Sequence, residues 1–410
     1  MDFLNNKQNK NDLKLVSTLS GIEYPFERIE EFAENGESLE VSIPDIENAS
    51  IVPGENLWQR YLDFLPFSRM DPELHLGKGN TPLIHADQRL RNFTGITDLY
   101  LKNETQNPTW SFKDRGSLAC IYMAKEMKEQ VTATISSGNM GNSIAAYAAK
   151  AGIKAIIFVP EFVPREKIFS MFIHGAKIIR VKADDYSVMK KHVLGLAKKL
   201  NLRIVSGNGP VRVEGYKLTA FEMFEQMKKN VPDYIAVPTS ACGHIRGIFK
   251  GYRELYKAGI IKKLPRMIIV QAKNNSPIVS AIQQGKNKVI PFSNFHTIAE
   301  AITSGNPMGG NELIHKAAVY HWLAESVTEE EILNSQRKFG ETGYFVEPAS
   351  ATSLFAVKKL REAGKIEKNA TVILMLTGTG LKDLDVFQNY PVNVMESDLH
   401  RVEGDIKKLL

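Results

Sequence analysis

Four short segments of this chain gather glycine, hydroxyl and amide residues around side chains capable of chemistry. The first, residues 107–116, reads Asn-Pro-Thr-Trp-Ser-Phe-Lys-Asp-Arg-Gly and puts Lys113 in a polar turn ahead of a helix-forming stretch. A lysine there is either a nucleophilic amine or a surface residue after a capped helix start. The second, residues 136–143, reads Ser-Ser-Gly-Asn-Met-Gly-Asn-Ser. Its amides would converge at a helix amino terminus, which suits an anion, and Gly138 and Gly141 permit a close approach. A plain capped turn reads the same way. The third, residues 238–244, is Pro-Thr-Ser-Ala-Cys-Gly-His. It looks like a phosphate cradle of backbone donors, without the spacing of a P-loop. Cys242 and His244 stand two apart in a turn, a spacing that rarely aligns a thiol with an imidazole for proton transfer. The fourth, residues 377–383, is Thr-Gly-Thr-Gly-Leu-Lys-Asp, and its lone Gly-x-Gly is weak by itself. The nine histidines form no metal-ligand spacing, and two cysteines, Cys120 and Cys242, cannot build a disulfide framework or a thiolate zinc site. No metal is expected.

Each of these segments follows a strand-like run, and a sheet must position them. Short β-branched or apolar runs at 98–102, 131–135, 155–159, 177–181, 202–206, 234–238, 267–272 and 371–376 read as strands. Helical periodicity fills 116–128, 143–151, 185–200, 215–228, 245–258 and 348–362. This alternation predicts an α/β chain with mostly parallel sheets flanked by helices, where ligands gather at strand carboxyl ends. With 410 residues, 43% hydrophobic and 24% charged, the chain has the composition of a globular protein of about two domains. The formal charge of +6 comes from dispersed lysines, not an arginine tract interleaved with aromatics, so no nucleic-acid partner is expected. The apolar runs are strand-sized and the amino terminus is polar, so neither a membrane span nor a signal peptide is expected. Few cysteines suit a cytoplasmic location.

Taken together and in order, the segments resemble the threonine synthase family of pyridoxal-phosphate enzymes. The anchors are Gly79-Asn-Thr-Pro-Leu83, residues 107–116, residues 136–143, Arg212-Val-Glu-Gly215, residues 237–251, Glu347-Pro-Ala-Ser350 and residues 377–383. The resemblance runs from about 79 to 385. It implies fold type II, the tryptophan synthase β-like arrangement of two open, twisted, mostly parallel sheets. It also implies a homodimer, a small phosphorylated amino-acid substrate, and pyridoxal 5'-phosphate as cofactor. The implied division has a loose tail (1–12), an amino-terminal module (13–75) and a large cofactor-binding domain (76–125 and 207–390). A small mobile domain (126–206) and a carboxyl-terminal tail or helix (391–410) complete it.

The roles implied by the resemblance are specific. Lys113 would hold the cofactor as a Schiff base and move protons, with Phe112 packing alongside. Asn139 would contact the ring's phenolic oxygen. Ser240, Ala241, Cys242, Gly243 and His244 would cradle the cofactor phosphate, although the family often has Gly-Asn-Ala-Gly-Asn there. Thr377 would face the pyridine nitrogen, and a neutral hydroxyl there favours elimination and replacement over transamination. Ser136, Ser137 and Gly138 would clamp the substrate carboxylate, and Arg212 the substrate phosphate, with Met140 nearby. Asp114 and Arg115 would make structural ion pairs. The implied reaction turns O-phosphohomoserine and water into threonine and phosphate, by γ-elimination and β-addition of water.

The chain departs from the family in three places. Met140 stands where a threonine is common, and Ser206-Gly207 stand near the usual Asn-Ser. Ser17, Ser20, Phe32 and Asn35 stand where some relatives carry four zinc-binding thiols, so the module is expected to bind no metal. The first two departures keep open a related elimination or β-replacement enzyme, cysteate synthase-like or threonine dehydratase-like.

Overall fold

The computed structural model describes residues 13–26, 30–67, 71–183, 186–293, 296–387 and 394–410. The expected tail at 1–12 lies outside them. The strands are β1 (Lys14–Ser17), β2 (Glu23–Pro25), β3 (Leu39–Ser42), β4 (Leu83–His85), β5 (Asp98–Asn103), β6 (Val131–Ile135), β7 (Lys154–Pro160), β8 (Lys177–Val181), β9 (Tyr234–Pro238), β10 (Arg266–Ala272), β11 (Leu323–Val327) and β12 (Thr371–Leu376). The helices are α1 (Leu57–Arg60), α2 (Gln88–Thr94), α3 (Lys113–Glu126), α4 (Asn139–Ala151), α5 (Arg165–Ile173), α6 (Tyr186–Lys199), α7 (Pro210–Gln226), α8 (Gly243–Lys257), α9 (Pro277–Gln283), α10 (Gly310–Tyr320), α11 (Glu329–Glu341), α12 (Pro348–Glu362) and α13 (Val402–Leu409).

A six-stranded sheet has the order β11-β10-β9-β12-β5-β4. Its strands run parallel except β4, which closes one edge antiparallel to β5. Central strands such as Ile235–Val237, Met267–Val270 and Val372–Leu376 are fully buried. A sheet covered by helices on both faces requires such continuous apolar runs. A second, parallel sheet of three strands, β6-β7-β8, carries α4 on its sequence between β6 and β7. This is the α/β architecture of the sequence reading, with two open, mostly parallel sheets. The carboxyl ends of β5, β6, β9 and β12 each lead into one of the four glycine- and hydroxyl-rich segments.

A third sheet, β2-β1-β3, is antiparallel and belongs to the amino-terminal module. Leu15, Leu39 and Val41 join the same apolar cluster as Phe221 and Phe249. Ion pairs dock the module as well. Glu40 on β3 pairs with Arg253 and, at 3.0 Å, with Lys316, and these cations hold its carboxyl well below the usual range against the opposing effect of burial. The positions where relatives carry thiols are linked here by hydrogen bonds. Glu37 accepts from the Ser17 hydroxyl and the Ser20 amide, and its own amide donates to Asn35 Oδ1 at 3.0 Å. Packing and these bonds preserve the frame without thiolate ligands.

Three differences from the sequence reading have physical causes. Residues 202–206 form no strand and pair with the small sheet through a single bridge of Ala133 with Ile204, beside a bond from Thr134 Oγ1 to Val205 O at 2.8 Å. The chain leaves at once through Gly207-Asn-Gly209 to start α7. Helices α3, α4 and α7 begin three to five residues earlier than the apolar periodicity, because their first turns are made of lysine, asparagine, glycine and proline. Helix α5 gave no periodic signal because Phe169, Phe172 and Ile173 are exposed.

Candidate active site

A cavity of about 2590 Å³ opens at the carboxyl ends of the strands. Its walls include Lys113, residues 136–140, residues 239–244, Glu347 and Thr377, with Lys382 at one side. The structure thus brings all four segments to one space. They are stitched together by backbone bonds: Phe112 N donates to Thr377 O at 3.0 Å, and Thr379 N to Trp110 O at 3.2 Å. Bridges pair Ser111 with Gly378 and Val346 with Thr379.

Lys113 begins α3, and its neighbours fix its turn. Asp114 accepts from Thr109 N at 2.6 Å and Ser143 Oγ at 2.6 Å, which also ties α4 to this turn. Asp114 was expected in an ion pair; it is fully buried among hydrogen-bond donors instead. Arg115 does make ion pairs, with Glu104 at 2.6 Å and Glu222 at 2.8 Å. The Lys113 ammonium lies 4.4 Å from the centre of the Phe112 ring. Burial pushes its pKa down to about 7, Arg212 and Lys382 add to this, and Glu347 opposes it. An amine near that value is populated both as base and as acid at neutral pH.

Phe112 separates Lys113 from His244. The imidazole stacks on Phe112 with centroids 3.9 Å apart and planes 17° from parallel, and meets Tyr216 edge-on at 5.4 Å. Neither ring nitrogen has a hydrogen-bond partner, and burial lowers the pKa to about 3, so the ring is a neutral slab. The side chain of His244 therefore serves packing; its part in any cradle is its backbone. Cys242 is buried in the apolar core, burial pushes its thiol up, and its Sγ bonds Ser240 O at 3.5 Å. A Cys–His nucleophile is excluded on these grounds.

The start of α8 has the form of an anion site. It has no side-chain cap, Cys242 holds a left-handed φ of 77°, and the first amide bonded back is Arg246 N to Cys242 O. The amides before it have no intrahelical partner. Gly243 is required here, because a Cβ would lie 2.2 Å from Gly207 O. The start of α4, with Gly138 at its cap position and no side-chain cap, presents a second set of donors. Among Ser136, Ser137 and Gly138, the Gly138 amide bonds Ser136 Oγ at 3.3 Å.

Asn139, Thr377 and Glu347 share one network, and sequence reasoning missed Glu347, Ser350 and Lys382 as members of it. Asn139 Nδ2 donates to Glu347 Oε2 at 2.9 Å, while Lys382 Nζ donates to Asn139 Oδ1 at 2.8 Å. Thr377 Oγ1 donates to Glu347 Oε1 at 2.9 Å and lies 2.7 Å from Ser350 Oγ. The signal was present: Glu347 and Ser350 lie in Glu-Pro-Ala-Ser, and Lys382 in Gly-Leu-Lys-Asp, both used only as anchors.

Arg212 is fully buried on α7, behind the cavity wall formed by Ser206 and Gly207. Its Nε donates to Ser206 O at 2.8 Å, and Nη1 reaches Ser117 Oγ at 3.3 Å and Tyr216 OH at 3.4 Å. It does not pair with Glu214, which serves Lys217 and Lys250. Met140 and Gly207 are neighbours: a Cβ on Gly207 would stand 3.8 Å from Met140 Sδ and 3.0 Å from Ala241 Cβ. The two departures in this pocket are thus one local repacking.

Comparison with known proteins agrees with this geometry. Residues 74–378 match the family described as pyridoxal-phosphate dependent enzyme. The chain is 38% identical over 357 residues to the threonine synthase of Methanocaldococcus jannaschii, covering 85% of this chain and 87% of that protein. It belongs to the threonine synthase family of pyridoxal-phosphate-dependent enzymes. Threonine synthases of Methanosarcina acetivorans and a Bacillus species are 37% and 36% identical, covering 80% and 97% of those proteins and 80% and 87% of this chain. Among solved structures, maize serine racemase has a TM-score of 0.63 at 19% identity, covering 81% of this chain and 92% of that one. Processed threonine deaminase isoform 2 of Solanum lycopersicum has a TM-score of 0.61 at 18% identity, covering 80% and 87%. These two likenesses concern the fold. Among the described residues no helix is long and apolar enough to cross a membrane.

Proposed function

We propose that this chain converts O-phosphohomoserine and water to threonine and phosphate, using pyridoxal 5'-phosphate. The observation that carries this is the convergence, on one cavity, of a lowered-pKa lysine and two uncapped helix amino termini, in a chain matching threonine synthases over most of its length. The donor set fits the cofactor. Lys113 supplies the amine, and the start of α8 at 240–244 supplies amides for the phosphate. Thr377 would meet the pyridine nitrogen and Asn139 the ring hydroxyl. When bound, the cofactor supplies an electron sink for charge developing next to the substrate's amine-bearing carbon.

The chain's own residues would do the rest. The start of α4, with Ser136, Ser137 and Gly138, receives the substrate carboxylate where helix-end donors favour an anion. Lys113 Nζ, titrating near neutrality, takes the α-proton and later exchanges a β-proton. The Phe112–His244 stack walls off water behind the amine. Lys382 donates to Asn139 Oδ1 and Nδ2 gives one hydrogen to Glu347, which leaves the second Nδ2 hydrogen to donate into the site. The three-stranded sheet with α4 supports the division into a small lobe at 126–206 and a large lobe at 76–125 and 207–390. We place the enzyme in the cytoplasm as a homodimer, as in the reading from sequence.

Arg212 is proposed as the main side-chain contact to the substrate phosphate, with Ser137 and loop amides assisting. Its planar fork can give parallel bonds to two phosphate oxygens, which an ammonium cannot. Arg212→Lys is expected to raise the barrier for O-phosphohomoserine by about 1.5–3 kcal/mol while leaving cofactor binding unchanged. Steady-state kinetics beside cofactor titration check this; unchanged kinetics remove the phosphate role. One observation favours the second reading, an elimination or replacement on a small unphosphorylated amino acid: Arg212 sits behind Ser206 and already interacts with the chain's own Glu31.

A further inference from the structure

Helix α7 begins with Gly209 at its cap position and has no side-chain cap among its own residues. The acid at this helix start comes from far away in sequence. Glu31, between β2 and β3, accepts from Ser206 N at 2.8 Å, and a Cβ on Gly209 would fall 2.0 Å from Glu31 Oε2. Two guanidiniums face the same carboxylate, Arg203 and Arg212. Each has a terminal nitrogen, Arg203 Nη1 and Arg212 Nη2, that is buried with no hydrogen-bond partner. Arg203 also pairs with Glu129 at 2.9 Å, whereas Arg212 bonds only uncharged groups. The result is a built anion site: a helix start, the Ser206 amide that Glu31 now occupies, and a buried arginine with capacity to spare. Glu31, Ser206, Gly207 and Met140 also line the cavity that holds Lys113, so this site opens onto the reaction space.

We propose that Glu31 is a tethered anion, seated in the subsite that a phosphorylated ligand must occupy, and that its displacement sets the enzyme's affinity for phosphate esters. The inference rests on the reading of Arg212 as the phosphate contact. A carboxylate and a phosphate cannot share these donors, because two anions at this distance repel and the donors saturate. Burial raises the Glu31 pKa on balance, and only the two arginines and Ser206 pull toward the carboxylate form, so the charge at this position depends on those three partners. The same contact explains the unusual wall. With Met140 where a threonine is common and Ser206-Gly207 near the usual Asn-Ser, the anion site draws its donors from the α7 start and Arg212, where Glu31 competes directly.

The test uses the holoenzyme and inorganic phosphate. Binding is followed through the cofactor's absorbance and, separately, as inhibition of O-phosphohomoserine turnover. Glu31→Gln keeps the shape and removes the charge. It is expected to bind phosphate about tenfold or more tightly than the parent, the scale of one relieved like-charge contact. Adding Arg212→Lys to it is expected to abolish that gain. Glu31→Asp, with a shorter tether, should fall between parent and Glu31→Gln, and both variants should keep the parent's melting temperature within a few degrees. Unchanged or weaker phosphate binding in Glu31→Gln overturns the proposal. If that happens while the parent still turns over O-phosphohomoserine through Arg212, the proposed function stands alone. If phosphate binding tightens as expected but O-phosphohomoserine is not a substrate, the tethered-anion site stands and the proposed reaction fails.

Discussion

Lys113→Ala is expected to lower turnover by about a thousandfold or more, the combined loss of a covalent anchor and a general base. The purified parent should be yellow, and borohydride should fix the cofactor to one peptide, that containing Lys113. The variant should hold cofactor reversibly, through the α8 start and the Asn139–Thr377 side, without the fixed label. The basis is local. Lys113 is an amine on the cavity wall with a pKa near 7, and no ion pair holds it among the described residues. Lys382, another amine on that wall, titrates near 8 and is already bonded to Asn139. A label on Lys382, or on any other lysine, removes Lys113 from the mechanism.

Arg115→Met should be the most destabilising single change near the site, costing about 3–5 kcal/mol. The guanidinium, with no solvent exposure, bonds Glu104 twice and Glu222 twice. Glu104, also fully buried, has no other cation at hydrogen-bond distance; Glu222 keeps Lys102 at 2.5 Å. Losing Arg115 therefore strands a carboxylate. Urea unfolding should show a lower midpoint with an unchanged slope. The pH dependence carries a sign. Arg115 holds Glu104 down at about 2 in the folded parent despite burial, and Glu222 is lowered too. Their contribution is full above the ordinary carboxylate pKa near 4.5 and declines as pH falls toward 2. In the variant, burial without the cation raises the Glu104 pKa, so folding then favours its protonated form. The stability gap between parent and variant should thus narrow from pH 7 to pH 3. A gap that widens on acidification contradicts the assignment.

The parallel sheets were legible because strands such as Thr371–Leu376 are apolar on both faces, a pattern that periodicity and length resolve. The four segments at the cavity were legible because helix starts with unpaired amides need small residues at fixed places, as at Gly141 and Gly243. Helix α5 was not, since its apolar side chains face solvent, and neither were β4 and β11, edge strands of three and five residues. Residues 202–206 look β-branched but pair through a single bridge. Glu31 could not be found from sequence at all: its partner, Ser206, is 175 residues away and only the folded chain joins them. The departure at Met140 was visible, while its compensation by Gly207 required three dimensions.

The central claim is the reaction itself. Purified holoenzyme mixed with O-phosphohomoserine should release threonine and inorganic phosphate in equal amounts, with no release by Lys113→Ala. Phosphate without threonine, a keto acid and ammonia in place of threonine, or no reaction at all would contradict it.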